Sequence, residues 1–140
     1  MGEVTGLLSP LGGNQVTASG TSQLLFKLAA ANLQLTSDQA FTKVYAGSAY
    51  LVLAIVARQR SGAASVACAG GIYDAAAKGG NAIVAAGQNW VTLASGVIVL
   101  ATLGAPASTV LLTATPFLSL TTGSTAAATA DFYIFGTDIS

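Results

Sequence analysis

A glycine-rich stretch near the middle of the chain, GGIYDAAAKGGN (70–81), contains the residue types of a phosphate-binding loop. Such a loop has the pattern G-x-x-x-x-G-K-[ST], in which glycine amides surround the phosphates and the lysine follows the last glycine at the start of a helix. Here Lys78 precedes Gly79 and Gly80, no serine or threonine follows, and the next residues, NAIV, are typical of a strand. The spacing argues against phosphate binding and favours a turn between two strands.

The same stretch has the features of a hairpin with a charged tip. Residues 72–73 are expected to end one strand and residues 82–84 to begin the next, while residues 79–81 supply the positive φ angles of the turn. Asp74 and Lys78 stand four residues apart and are expected to form an ion pair across the tip. An exposed pair of this kind contributes about 0–1 kcal/mol, so its value lies in solubility or partner contact.

The other residues capable of catalysis are few and dispersed. The chain has no histidine, which is the usual general base and a common metal ligand. No G-x-S-x-G motif frames a serine, and the single cysteine, Cys68, lies in an apolar run where a buried thiol is expected. The acidic residues form no metal-ligand motif: Glu3, Asp38, Asp74, Asp131 and Asp138. We therefore predict a protein that is not an enzyme and has no cofactor and no metal site.

The composition predicts association with other proteins. Apolar residues make up 53% of the chain, charged residues only 7%, and the net charge is zero. Globular domains carry about 25% charged residues, and surfaces much poorer in charge tend to associate. The chain lacks the basic surplus that binds nucleic acid or anionic lipid, so neither is expected as a partner.

The most apolar segment, residues 91–114, is long enough to cross a membrane but is interrupted. Ser95, Gly96, Gly104 and Pro106 divide it into two short β-branched runs, which favours two strands over one membrane helix. About eight such runs recur at about ten-residue spacing. This pattern predicts an all-β fold, an antiparallel β-sandwich of jelly-roll or Greek-key type, as a single domain over residues 23–140. Residues 1–22 are predicted to be a flexible N-terminal arm.

The strongest predicted strand starts at Tyr50 and is apolar on both faces. Leu51, Leu53 and Ile55 share one face in a strict alternation, and Arg58 and Arg60 follow at the end of the strand. We expect a subunit interface on this face or on the aromatic strand from Phe132 to Phe135. Polar contacts to a partner are expected from Arg58, Arg60 and Lys78.

The aromatic residues leave a carbohydrate-binding alternative open. Sandwich domains bind sugars on exposed rings, and the available rings belong to Trp90, Tyr73, Tyr45 and Tyr50. Each ring also suits the core or a subunit contact. Trp90 and Tyr73 are the candidate partner or ligand contacts among them, and a glycan remains an alternative partner.

Two patterns in the C-terminal half resemble those of small head-associated proteins of tailed bacteriophages. The first is the G-G-I-Y loop with K-G-G and a following Q-x-W, in GGIYDAAAKGGNAIVAAGQNWVTL; the second is the L-T-T-G turn leading into A-T-A-D-F-Y, in PFLSLTTGSTAAATADFYIFG. The resemblance is to capsid cement or decoration proteins, which are β-sandwiches on the outer capsid lattice, commonly trimers, that brace neighbouring capsomers. The N-terminal quarter has no matching motif.

The resemblance implies a virion structural protein without catalytic activity. It implies a homotrimer that binds the major capsid protein on the capsid surface and stabilises the head, after synthesis in the host bacterial cytoplasm. The alternatives are a glycan- or receptor-binding β-sandwich module and a head or tail fibre segment.

Overall fold

The predicted all-β class is confirmed. The computed structural model describes residues 22–62, 66–91, 93, 98–103 and 111–140. Within these residues there are strands and turns but no helix, and the strands form two antiparallel sheets that share one hydrophobic core. Apart from Ser22, the predicted N-terminal arm lies outside the described residues.

The strands are short except for three that dominate the fold. The described residues contain β1 (Gln23–Asn32), β2 (Gln39–Ala40), β3 (Thr42–Lys43), β4 (Tyr50–Gly62), β5 (Ala69–Tyr73), β6 (Ala82–Val84), β7 (Ile98–Leu100), β8 (Leu111–Leu112), β9 (Phe117–Thr122) and β10 (Ala128–Asp138). The three long strands β1, β4 and β10 lie side by side, because β10 pairs with both of the others.

The two sheets differ in size. The larger has the order β8–β4–β10–β1–β3, and β7 also pairs with β4. The smaller has the order β2–β9–β5–β6. Phe41 alone separates β2 from β3, so the chain passes from one sheet to the other at this buried side chain. The finer jelly-roll or Greek-key type stays a prediction.

The core between the sheets is built around aromatic rings. Trp90 and Phe132 pack edge to face with ring centroids 5.2 Å apart, and Phe41 contacts Phe132 at 6.5 Å. The Trp90 Nε1–H donates to the carbonyl of Gly70 at 3.1 Å, which satisfies the polar atom of a fully buried indole. At Gly70 a Cβ atom would come within 2.3 Å of Leu120 Cα, so the close approach of β5 and β9 requires glycine.

A β-bulge in β4 changes the predicted alternation. Phe135 pairs with Ala54 and Gly136 with Val52, so Leu53 is an extra residue with no partner in β10. Before the bulge Val52 points into the core, whereas after it Ile55 does so. The prediction that Ile55 shares a face with Leu51 and Leu53 is therefore wrong.

The loop after β5 is a turn between two strands, as predicted, but it is built differently. Positive φ angles occur at Ala77 (57°), Lys78 (59°) and Gly80 (67°), whereas Gly79 and Asn81 have none. The Asp74 carboxylate accepts hydrogen bonds from the Asn81 backbone at 2.7 Å and from its side-chain amide at 3.1 Å. Asp74 makes no ion pair with Lys78, so that prediction is wrong.

Candidate interaction face

The solvent side of the larger sheet carries a mixed apolar and cationic surface. We call this surface the outer face. Its residues are Leu24, Lys27, Leu51, Leu53, Val56, Arg58, Arg60, Asp131, Tyr133 and Phe135. They alternate with core residues along β10 and most of β4, and an extra residue interrupts the alternation at Leu25 in β1 and at Leu53 and Arg60 in β4.

Strand pairing arranges these side chains in rows across three strands. Directly paired residues of an antiparallel sheet point to the same side. Lys27, Tyr133 and Val56 form one row, because Tyr133 pairs with both of the others. Leu24 and Phe135 lie opposite each other in the adjacent row. The outer face is therefore a continuous surface and not a set of isolated side chains.

One end of the outer face is apolar and open to solvent. Leu51 is 39% exposed and Leu53 is 47% exposed, while Val56 and Phe135 are half-buried. Single exposed apolar residues are ordinary on soluble proteins, but a contiguous patch marks an interaction site. Burial of this end by another protein would remove apolar surface from water.

The centre of the outer face is aromatic and cationic. The Lys27 Nζ lies 5.8 Å from the centroid of the Tyr133 ring, at cation–π distance. The rings of Tyr133 and Phe135 lie 6.5 Å apart, tilted by 32°. This row links the apolar end to the charged end.

The other end of the outer face is charged. Arg60 Nη1 lies 3.4 Å from Asp131 Oδ1, and this is the one ion pair between described residues. Asp131 Oδ1 also accepts the Ala30 N–H at 2.8 Å, which supports the positive φ of 54° at Ala30. Arg58 pairs with Asp131 in register, but its side chain makes no hydrogen bond or ion pair with described residues. Three cations and one carboxylate therefore leave the outer face with a positive balance.

The predicted interface residues divide into exposed and buried sets. Leu51, Leu53, Arg58 and Arg60 lie on the outer face, and Phe135 lies there half-buried. Ile55 and Phe132 are fully buried in the core, so the prediction that they form a subunit interface is wrong. Lys78 is exposed but belongs to the hairpin tip of the smaller sheet, away from the outer face.

The two aromatic contact residues are also buried. Trp90 is fully buried and Tyr73 is 7% exposed, so the prediction that their rings contact a capsid or a ligand is wrong. Tyr50 is in the core, and Tyr45 is half-buried. The rings proposed for a sugar platform are thus occupied in packing, where an aromatic side chain contributes most to stability.

Sequence reasoning missed Lys27 and Tyr133 as members of the same surface. They are 106 positions apart in the chain and become neighbours only through the pairing of β1 with β10. An alternating pattern shows which residues share a strand face but does not show which strands pair. The alternation of Asp131, Tyr133 and Phe135 was the available signal.

The remaining polar groups of interest serve structural roles. The Asp38 carboxylate accepts hydrogen bonds from the Ala77 N–H at 2.5 Å and from the Ser119 hydroxyl, and these bonds lower the pKa of Asp38. Burial raises the pKa of the Cys68 thiol to about 11, which disfavours the reactive thiolate. The described residues contain no group of three or more potential metal ligands.

Comparisons with known proteins give no relative. No family model, no curated protein and no solved structure matches the chain. The part of the chain that the structure describes has no helix of the length and apolarity needed to span a membrane.

Proposed function

We propose that this chain is a non-enzymatic structural protein of a virion, a cement or decoration protein of a tailed bacteriophage. It forms a homotrimer on the capsid surface, binds the major capsid protein and stabilises the head. The two sequence patterns described above support this role, and the outer face is the observation that carries it.

The size of the outer face suits a subunit interface. β4 has 13 residues and so spans about 40 Å at about 3.3 Å per residue. The strands β4, β10 and β1 with their side chains form a platform about 15 Å wide, given a strand spacing of about 4.8 Å. The resulting area of about 600 Å² approaches the roughly 800 Å² per partner of a standard interface.

Trimer symmetry restricts how the outer face is used. In a closed threefold ring each subunit presents two different patches, so the outer face contacts another surface of its neighbour. The apolar end with Leu51 and Leu53 suits the subunit contact. The charged end with Arg58 and Arg60, and Lys78 on the hairpin tip, suit polar contacts to capsid protein.

Native mass spectrometry tests the subunit contact. The wild-type protein should give a mass three times 13.8 kDa at low micromolar concentration. Leu53→Asp places a charge in the apolar end and should shift the mass to that of the monomer. Leu35→Asp is the matched control, because Leu35 is 45% exposed in a turn outside the outer face. An unchanged trimer in Leu53→Asp would contradict the assignment of the outer face.

Co-sedimentation with capsids of the major capsid protein tests the virion role. The wild-type protein should saturate the lattice at a fixed ratio to capsid protein. The double variant Arg58→Ala, Arg60→Ala and the single variant Lys78→Ala should each lower the occupancy and its salt sensitivity. No sedimentation of the wild-type protein with capsids would overturn the proposed function, whatever its oligomeric mass.

A further inference from the structure

A small pocket opens at the edge of the larger sheet, away from the outer face. Its volume is about 140 Å³, close to the roughly 150 Å³ cavity that holds benzene in another protein. The pocket is lined by Phe26, Lys43, Tyr50, Thr113, Ala114 and Thr115. It therefore combines one cation and two hydroxyls with two aromatic rings.

The cation is held at the pocket by contacts that leave its charge without a counter-ion. The Lys43 Nζ donates to the Gly47 carbonyl at 2.9 Å and lies 5.8 Å from the centroid of the Tyr50 ring. No carboxylate of the described residues lies within 4.0 Å of it. An ammonium group has three donor hydrogens, so donors remain for a ligand.

The rest of the pocket supplies an apolar floor and further polar groups. Phe26 and Tyr50 pack edge to face with ring centroids 5.5 Å apart. The Tyr50 hydroxyl donates a hydrogen bond to the Tyr45 carbonyl at 2.7 Å. Phe26 and Tyr50 are each 1% exposed, so they form the closed base of the pocket, and the Tyr50 hydroxyl is not available to a ligand. The hydroxyls of Thr113 and Thr115 make no hydrogen bond with the described residues.

We propose that this pocket binds a carboxylate on a short aliphatic stem. The carboxylate accepts hydrogen bonds from Lys43 Nζ and from the threonine hydroxyls, since charge-assisted bonds of this kind are about twice as strong as neutral ones. The stem points toward the closed base of the pocket at Phe26 and Tyr50. The chemistry is shared by a free carboxylic acid and by the acidic side chain of a protein partner.

Titration of the ¹⁵N-labelled full-length protein with sodium propionate tests the proposal by NMR. The amide signals of residues 113–115 and the ring signals of Tyr50 should shift and saturate together. Lys43→Gln keeps a donor toward Gly47 but removes the charge, and it should weaken propionate binding about tenfold or more. Lys27→Gln is the matched control, because Lys27 also lies 5.8 Å from a tyrosine centroid but on the open outer face.

Three results would overturn the carboxylate pocket. These are the absence of saturable propionate shifts, an equal response to neutral propionamide, and an equal loss of binding in Lys27→Gln. Where propionate binds, acetyl-glutamate amide separates the two sources of the ligand. Tighter binding of the capped glutamate assigns the pocket to an acidic side chain of a partner, and tighter binding of propionate assigns it to a free acid. The measurement needs no capsid, so its outcome is independent of the proposed function.

Discussion

The two sheets differ in how far the side chains on their solvent sides are covered. On the smaller sheet, Gly71, Tyr73 and Ser119 point away from the core, yet Tyr73 is only 7% exposed and Ser119 is fully buried. On the larger sheet, the corresponding positions include Leu51 at 39% and Leu53 at 47% exposure. The polar serine is thus covered while the leucines are not.

The chain itself closes the smaller sheet. Asp38 accepts a hydrogen bond from the Ser119 hydroxyl, and the same carboxylate holds the hairpin tip through the Ala77 N–H. The Val84 carbonyl would lie 2.4 Å from a Cβ atom at Gly71, so β6 approaches β5 too closely for a side chain at this position. Among the described residues, no segment covers Leu51 and Leu53 of β4 in this way. The smaller sheet is thus covered by side chains and turns of its own chain, whereas Leu51 and Leu53 on the larger sheet stay exposed.

The largest expected effect comes from the core that both sheets share. Trp90→Ala removes the edge-to-face contact with Phe132 and the hydrogen bond to the Gly70 carbonyl, and leaves a cavity. The free energy of unfolding should fall by about 3–5 kcal/mol. Urea denaturation followed by circular dichroism measures it. A loss below about 1 kcal/mol would show that the indole is not packed as described.

The second largest effect on the free energy of unfolding is expected from the buried Ser119 hydroxyl of the smaller sheet. Ser119→Ala leaves one oxygen of Asp38 without its buried donor, and should lower the free energy of unfolding by about 1–2 kcal/mol. The same denaturation experiment measures the change. Ser61→Ala is a suitable control, because the Ser61 hydroxyl bonds to Thr129 at an exposed position. An equal loss of unfolding free energy in both variants would show that the buried Ser119 hydroxyl stabilises the protein no more than the exposed Ser61 hydroxyl.

The Asp38 contact predicts a pH dependence. Hydrogen bonds from the Ala77 amide and the Ser119 hydroxyl lower the pKa of Asp38 below its ordinary value of 3.8. A lowered folded-state pKa means that the stabilisation is fully present above about pH 4 and is lost as the pH falls through the folded value. Asp38→Asn should cost about 1 kcal/mol at neutral pH, since the group is partly solvated. Its difference from wild type should vanish in acid, and a constant difference would contradict the assignment.

A stabilising change is expected at the hairpin tip. Lys78 has a φ of 59°, a left-handed conformation that favours glycine over other residues. Lys78→Gly should raise the free energy of unfolding by about 0.5–1 kcal/mol, whereas Lys78→Ala should not. Thermal denaturation compares the two variants. Equal melting temperatures would show that the tip carries no backbone strain.

The smallest effect on the free energy of unfolding is expected from Leu51 on the outer face. Leu51→Ser alters a side chain that is 39% exposed, so the unfolding free energy of the monomeric protein should change by no more than about 0.5 kcal/mol. Urea denaturation at a concentration where native mass spectrometry gives the monomer mass measures it. A loss of unfolding free energy above about 2 kcal/mol would show that the chain itself covers Leu51, which would contradict the difference between the two sheets.

Much of the fold could be predicted from the sequence. The apolar runs bounded by Gly, Pro, Ser and Thr predict the all-β class, and the segment NAIV predicts the strand after the glycine-rich loop, where the structure has β6 (Ala82–Val84). These features are local, since strand propensity and turn residues act within a few positions. The hairpin between β5 and β6 could therefore be predicted from the sequence.

The candidate site was harder to predict because it depends on pairing. Strict alternation placed Ile55 beside Leu53, but the extra residue of the bulge turned Ile55 inward. Trp90 was ambiguous because an aromatic side chain suits both a core and a binding surface. Its burial follows from Phe132, more than forty positions away, and only the folded chain shows that contact.

The central position of β10 has a consequence for synthesis of the protein. This strand, the last of those described, inserts between β1 and β4, so the larger sheet cannot close until residues 128–138 have left the ribosome. Until then the nascent chain carries two long strands with unpaired edges, a state prone to intermolecular pairing. We expect the larger sheet to form only after β10 has emerged, and to form slowly, because its central pairings join strands far apart in the chain.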